Sequence, residues 1–133
     1  MTVQELSTLR HLHREIEQEE ARLSELRLRA YSPSGPSLSG MPRGGPEHSK
    51  VEQYAAALAE IEAGIQERIV RSTIEEARLR RYIETVPDAQ MRNLLLCRFV
   101  DCCTWEQVAA RCDFERTAYA VKKRVYRFIQ KNP

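Results

Sequence analysis

Residues 104–129 read TWEQVAARCDFERTAYAVKKRVYRFI, and this stretch predicts two short helices joined by a tight turn. Thr104 is followed three residues later by Gln107, a spacing that fits a capping box at the start of the first helix. The turn is predicted at 113–114, and the second helix over 115–131. The remainder of the chain is expected to position or pair these two helices.

The second of these helices has two chemically different faces. Successive residues are about 100° apart around a helix, so side chains three and four positions apart share a face. The apolar arc, which we predict to be the core face, contains Ala118, Val121, Val125, Phe128 and Ile129. The opposite side carries Arg116, Tyr119, Ala120, Lys123, Arg127 and Gln130, with Lys122 and Arg124 between the two groups.

Positive charge is concentrated on this helix. The whole chain has 21 Lys and Arg against 19 Asp and Glu, a net charge of +2. Residues 115–131 alone hold six basic side chains and a single acid, Glu115. A local basic face on a near-neutral protein is typical of a nucleic-acid contact. The alternative is a solvated, lysine-rich helix end that the helix dipole favours.

Two long amphipathic helices are predicted ahead of this region, over 1–30 and 47–86. Apolar side chains follow helical spacing in the first at Leu9, Leu12, Ile16, Leu23, Leu26 and Ala30. In the second, Val51, Leu58, Ile65, Ser72, Leu79 and Val86 recur every seven residues. A helix cannot bury such a stripe alone. We therefore expect an antiparallel hairpin within the chain, a homodimer through 3–30 and 47–86, or both, with a plain structural spacer as the alternative.

Residues 31–46 separate these helices and hold four of the six prolines, four of the five glycines and four serines. This composition predicts a linker that is mobile or wraps a surface. Pro87 is expected to end or kink the long helix, and Asp88 to cap the next one. Residues 87–133 are then a compact helical unit. The predicted fold class is all-α, a long helical hairpin or coiled coil followed by this unit.

Composition argues against several classes of protein. The longest apolar run is six residues, at 54–59, too short to span a bilayer, and no signal-peptide core is seen at the N-terminus, so a cytoplasmic location is expected. The cysteines at 97, 102, 103 and 112 lack paired metal-ligand spacing, so we expect reduced structural thiols and no cofactor. Without a nucleophile–base pair, a phosphate-binding glycine loop or a catalytic carboxylate cluster, no enzymatic activity is expected.

Residues 104–129 resemble the region 4 helix-turn-helix of sigma-70 factors. The shared features are a Thr104 start, an acidic third residue at Glu106, the Val108–Ala109 pair, a short turn and a basic second helix. The preceding LLLCRFVDCCTW resembles the helix before that motif. The whole layout is similar to small prophage-encoded proteins of the RinA and ArpU type, which are late-gene transcription activators.

The resemblance implies a DNA-binding transcription regulator, with RNA polymerase as a second candidate partner. The second helix of such a motif enters the major groove of double-stranded DNA. Glu115 stands where the family usually has a Ser or Thr cap, so the cap is expected to be weak or to shift to Asp113, and an acid there would repel phosphate. Cys102 occupies a turn position where glycine would be easier. The predicted DNA-binding residues are Arg116, Thr117, Tyr119, Ala120, Lys122, Lys123, Arg124 and Arg127.

These residues divide by their chemistry. Arg116, Tyr119, Ala120 and Lys123 are candidates for base edges, because arginine pairs with guanine and alanine contacts a thymine methyl. Lys122, Arg124 and Arg127 are expected to contact phosphates, which position a protein without specifying sequence. Two other functions remain open. One is a small terminase-like packaging subunit, which would form a ring of many copies, and the other is an adaptor that docks on RNA polymerase without touching DNA.

Overall fold

The described part of the protein is helical, without strands, which confirms the predicted all-α class. The computed structural model describes residues 1–31, 46–112 and 117–133. Its helices are α1 (Val3–Leu6), α2 (Thr8–Tyr31), α3 (Pro46–Glu84), α4 (Ala89–Leu95), α5 (Trp105–Arg111) and α6 (Ala118–Lys131). A π-helical turn over Leu96–Val100 extends α4. Within these ranges, no helix is long and apolar enough to cross a membrane.

The long helices begin and end close to the predicted positions. The helix expected over 1–30 is divided at Ser7 into α1 and α2, and the one expected over 47–86 is α3. The linker predicted for 31–46 lies outside the described residues except for its two ends, Tyr31 and Pro46, which are helical. Proline suits the first position of a helix, because the backbone N–H that it lacks would have no helical partner there.

Contacts divide the chain into two compact units. The first combines Met1–Arg14 with Val70–Pro133, and the second is Glu15–Ile69. The first unit therefore extends beyond the compact unit predicted for 87–133. The reason is that Leu6 and Leu9 belong to the same buried cluster as the end of α3 and the C-terminal helices.

In the second unit, the apolar stripes of α2 and α3 cover each other. Leu23 of α2 is buried in one cluster with the α3 side chains Leu58, Ile61 and Ile65, and Ile16 and Leu26 pack against it. Two ion pairs give the direction of the helices, Arg27 with Glu62 at 2.6 Å and Arg68 with Glu15 at 3.4 Å. Low-numbered residues of α2 pair with high-numbered residues of α3, so the two segments are antiparallel, as the predicted hairpin requires.

The first unit contains the larger core. Each fully buried Leu, Ile or Val contributes roughly 1.5–3 kcal/mol relative to an exposed one. Asp88 caps α4 as predicted, because its Oδ1 accepts a hydrogen bond from Gln90 N at 3.0 Å. The buried side chains of this core are Leu6, Leu9, Leu79, Ile83, Val86, Met91, Leu94, Leu95, Phe99, Val100, Cys103, Val108, Val121, Val125 and Ile129.

Candidate nucleic-acid interface

Helix α5 begins with the predicted capping box. The backbone N–H of Gln107 donates to Thr104 Oγ1 at 3.2 Å, and the N–H of Thr104 donates to Gln107 Oε1 at 2.9 Å. These two bonds satisfy groups that the first helical turn leaves unpaired. Val108 is fully buried, whereas Trp105 and Ala109 pack against the core from partly exposed positions. Trp105, Val108 and Ala109 therefore form the apolar face of α5.

Helix α6 begins at Ala118, so the predicted start at Glu115 was too early. Thr117 has extended backbone angles, with φ −66° and ψ 156°, and its Oγ1 accepts a hydrogen bond from Ala120 N at 3.2 Å. Threonine is a favoured N-cap because its hydroxyl satisfies a free N–H of the first turn. The cap of α6 is thus Thr117, not Glu115. Asp113, the other predicted cap, and Arg116, a predicted base contact, lie outside the described residues.

The predicted core face of α6 is confirmed. Val121, Val125 and Ile129 are between 0% and 4% exposed. Ala118 and Phe128 are half-buried at the edges of this face. The helix contains no acidic residue over Ala118–Lys131, so the side opposite the core face is uniformly basic or neutral.

The opposite face carries the exposed candidates. Lys122, Lys123 and Arg127 are exposed, and Tyr119 is 73% exposed. Ala120 is half-buried, and its side chain is a single methyl group that adds little bulk between the longer side chains. Two open clefts flank the exposed ridge formed by Lys123 and Arg127, and both residues line each cleft. These side chains, predicted from the helical projection, are therefore brought together on one surface.

Arg124 differs from its basic neighbours because it is held by α4. Its Nη2 donates to Gln90 Oε1 at 3.2 Å and lies 3.6 Å from Asp88 Oδ2. The side chain is 28% exposed and Asp88 50% exposed, so solvent screens the pair and its contribution to stability is small. The arrangement nevertheless fixes the guanidinium at the N-terminal end of α4, and part of its charge is compensated there.

Two aromatic rings, each with a cation over its face, position α6 against α5. The Arg98 guanidinium lies 4.4 Å from the centre of the Trp105 ring. Trp105 meets Tyr126 edge-on, with ring centres 5.9 Å apart and planes at 87°. Lys122 Nζ then lies 5.5 Å from the centre of the Tyr126 ring. Aromatic pairs and cation–ring contacts of this kind contribute roughly 0.5–1.5 kcal/mol each, and they restrict the orientation of both helices.

The segment before α5 contains a strained residue. Cys102 has φ +57°, in the left-handed region, which confirms that glycine would be easier there. Arg98 Nη1 donates to Cys103 O at 2.8 Å and so holds the turn against the preceding helix. Burial lowers the pKa of Arg98, although an arginine stays charged at neutral pH.

The described residues contain no group of three or more His, Cys, Asp or Glu that could hold a metal ion.

Sequence reasoning missed the residues that support the basic face. Tyr126 is one of them, and its four-residue spacing from Lys122 was the available signal, since such pairs are neighbours on a helix surface. Gln90 and Asp88 are the others. They contact Arg124 from a distant part of the chain, and no sequence pattern marks that contact.

No family model, no curated protein and no solved structure matches the chain. The functional proposal therefore starts from the side chains of α5 and α6. What they provide is a capped helix with a buried apolar face, and an exposed face that is basic and has one exposed aromatic ring.

Proposed function

We propose that the protein is a sequence-specific DNA-binding transcription regulator that inserts α6 into the major groove of double-stranded DNA. The observation that carries the proposal is the exposed face of α6. Lys122, Lys123 and Arg127 extend from a helix that has no acid and is fixed by its own buried stripe. The resemblance to sigma-70 region 4 and to phage regulators supports a role in transcription.

The exposed side chains have different roles in this proposal. Tyr119 and Lys123 contact base edges, with the small Ala120 between them admitting a thymine methyl. Lys122 and Arg127 bind phosphates on either side. Arg124 also binds a phosphate, but from a fixed position, because Gln90 and Asp88 already hold its guanidinium. A pre-positioned group loses less rotational freedom on binding than a free lysine does.

Selection of bound DNA from random oligonucleotides tests this function. We expect one enriched site, and we expect the double variant Lys123→Ala/Arg127→Ala to bind it at least tenfold more weakly. The matched control is Arg71→Ala/Arg81→Ala, which removes the same charge from exposed positions on α3. Equal losses in both variants would indicate only non-specific attraction, and absence of any binding at low salt would rule the proposal out.

The oligomeric state separates the other candidate functions. A homodimer through 3–30 and 47–86 stays a prediction, and in the second unit the stripe already has a partner within the chain. Exposed apolar side chains that a second copy would cover are Val70 and Ile74 of α3, which are 58% and 62% exposed. Sedimentation should give a monomer or dimer, and a two-fold symmetric DNA site would accompany a dimer. A ring of many subunits would favour packaging instead.

An adaptor that docks on RNA polymerase is the remaining alternative. It would show polymerase binding that survives Lys123→Ala/Arg127→Ala and needs no DNA. Pull-down of purified polymerase in the presence of nuclease distinguishes it from the proposed regulator, whose retention on promoter DNA depends on α6.

A further inference from the structure

Two thiols in the first unit lie close enough to react with each other. Cys112 Sγ is 3.6 Å from Cys97 Sγ, and both cysteines are free and half-buried. Cys97 lies in the π-helical turn after α4, and Cys112 is the C-cap of α5. A disulfide needs a sulfur–sulfur distance of about 2.05 Å, so the sulfurs have to approach by about 1.5 Å to form the bond.

We propose that Cys97 and Cys112 form a site of reversible oxidative cross-linking, at which hydrogen peroxide converts the two thiols into a disulfide. The bond would join the C-terminal end of α5 to the turn that follows α4. This inference rests on the positions of the two sulfurs and is independent of DNA binding.

The reaction proceeds in two displacements. One sulfur attacks a peroxide oxygen, an S–O bond forms as the O–O bond breaks, and the departing oxygen takes up a proton and leaves as water. The second sulfur, as a thiolate, attacks the resulting sulfenic acid. The S–S bond forms, the S–O bond breaks, and the hydroxide takes up a proton. Two thiols and one hydrogen peroxide give one disulfide and two waters, and the sulfurs lose the two electrons that the peroxide gains.

The other two cysteines have different neighbours. Cys102 Sγ lies 3.5 Å from His13 Nδ1 of α2. Cys103 is 7% exposed, and its Sγ lies 3.2 Å from Arg111 Nη1. Cys102 and Cys103 are adjacent in sequence, but their sulfurs contact different groups. The pair at 97 and 112 is thus the one whose sulfurs contact each other in the described part of the chain.

The surroundings of Cys97 make the reaction slow at neutral pH. Burial, the Cys112 thiol and the Asp101 carboxylate raise the pKa of Cys97 to about 11, while the Arg111 guanidinium acts in the opposite direction. Thiolates, not thiols, attack peroxides and sulfenic acids. We therefore expect the cross-linking rate to increase as the pH rises from neutral toward this pKa.

Trypsin cuts the chain so that Cys97, Cys112 and the adjacent pair Cys102 and Cys103 fall on three different peptides. Cleavage after arginine gives NLLLCR (93–98) with Cys97, FVDCCTWEQVAAR (99–111) with Cys102 and Cys103, and CDFER (112–116) with Cys112. The full-length protein is treated with hydrogen peroxide, the remaining thiols are alkylated, and the peptides are analysed by mass spectrometry. We expect NLLLCR joined to CDFER by a bond within one chain, lost on reduction, and a melting temperature raised by several degrees.

Serine variants complete the experiment. Cys97→Ser and Cys112→Ser should each abolish the joined peptides, whereas Cys102→Ser should leave them unchanged. Circular dichroism of each reduced variant establishes that it folds. The proposal is overturned if 99–111 is the partner in the joined peptides, if the bond forms between two molecules, or if all four thiols are alkylated after the treatment.

Discussion

Tyr119 has the most exposed aromatic ring in the described part of α6, at 73%, whereas Tyr126 packs against Trp105. We expect Tyr119→Ala to change the free energy of unfolding by less than about 0.5 kcal/mol, because the ring buries little surface. Binding to the selected DNA site should weaken by roughly 0.5–1.5 kcal/mol, the usual net contribution of a single hydrogen bond. Thermal melting and DNA titration measure the two effects.

Tyr126→Ala is the contrasting variant, since its ring lies between Lys122 and Trp105. It should lower stability by roughly 1–3 kcal/mol through lost packing. If Tyr119→Ala destabilised the protein equally, its exposed ring would be a structural side chain and not a recognition element.

The backbone of Cys102 leads to a second prediction about a single residue. At φ +57° a residue with a Cβ is strained by roughly 1 kcal/mol, and a β-branched one by more. Cys102→Gly should therefore raise the free energy of unfolding by up to about 1 kcal/mol, and Cys102→Val should lower it. Urea denaturation of both variants shows whether each substitution raises or lowers the free energy of unfolding. A stabilising valine would contradict the left-handed conformation.

The contacts of single side chains are where sequence reasoning was weakest. The exposure of Lys123 and Arg127 follows from helical projection, because the apolar residues of α6 define the opposite face. The restraint on Arg124 does not follow from it. Its partner Gln90 is 34 residues away, and only the packing of α4 beside α6 brings the two together.

At the scale of the helices, substitutions of Thr117 test whether this residue caps the start of α6. Thr117→Ala should destabilise the first unit by about 1 kcal/mol, because it removes the hydroxyl that accepts the Ala120 N–H. Thr117→Ser keeps that hydroxyl and should retain most of the stability. Chemical denaturation compares the three proteins. Equal stability of all three would mean that α6 is capped elsewhere.

The hairpin of the second unit can be tested by replacing isoleucine with alanine at a buried and at an exposed position of α3. Ile65 is 5% exposed and belongs to the same buried cluster as Leu23, whereas Ile74 is 62% exposed. Ile65→Ala should cost about 2–5 kcal/mol and Ile74→Ala less than about 0.5 kcal/mol. Urea denaturation, followed through the helix content, measures the change in stability of both variants. Similar costs would indicate that Ile74 is covered in solution, as it would be in a dimer.

Elements with local sequence signals were predicted well. The capping box at Thr104 depends on a three-residue spacing, and the stripe of α3 on a seven-residue repeat, so both are visible in the sequence. The predicted start of α6 was wrong because the family pattern has its cap at the position of Glu115, whereas the residue that caps the helix is Thr117, two positions later. The grouping of α1 with the C-terminal helices has no local signal, since it depends on contacts such as Leu6 with the distant core.

For the whole molecule, the proposed function predicts a strong dependence of DNA binding on salt. Each phosphate contact contributes a slope of about −0.9 to the logarithm of affinity against the logarithm of salt concentration. Lys123→Ala/Arg127→Ala should therefore make the slope less negative by up to about 1.8, if both side chains meet phosphates, and by less where Lys123 reads a base. The Arg71→Ala/Arg81→Ala control should keep the wild-type slope. Titrations at several salt concentrations give all three values.

The row of Arg98, Trp105, Tyr126 and Lys122 has a practical consequence. Trp105 is the only tryptophan in the chain, and it belongs to the first unit. Its fluorescence is therefore a built-in optical probe of the contact between α5 and α6, and the second unit contains no tryptophan that would add to the signal. Circular dichroism follows the helices of both units. Recording the two signals along one denaturation curve, without any added label, would reveal whether the units unfold together or in succession.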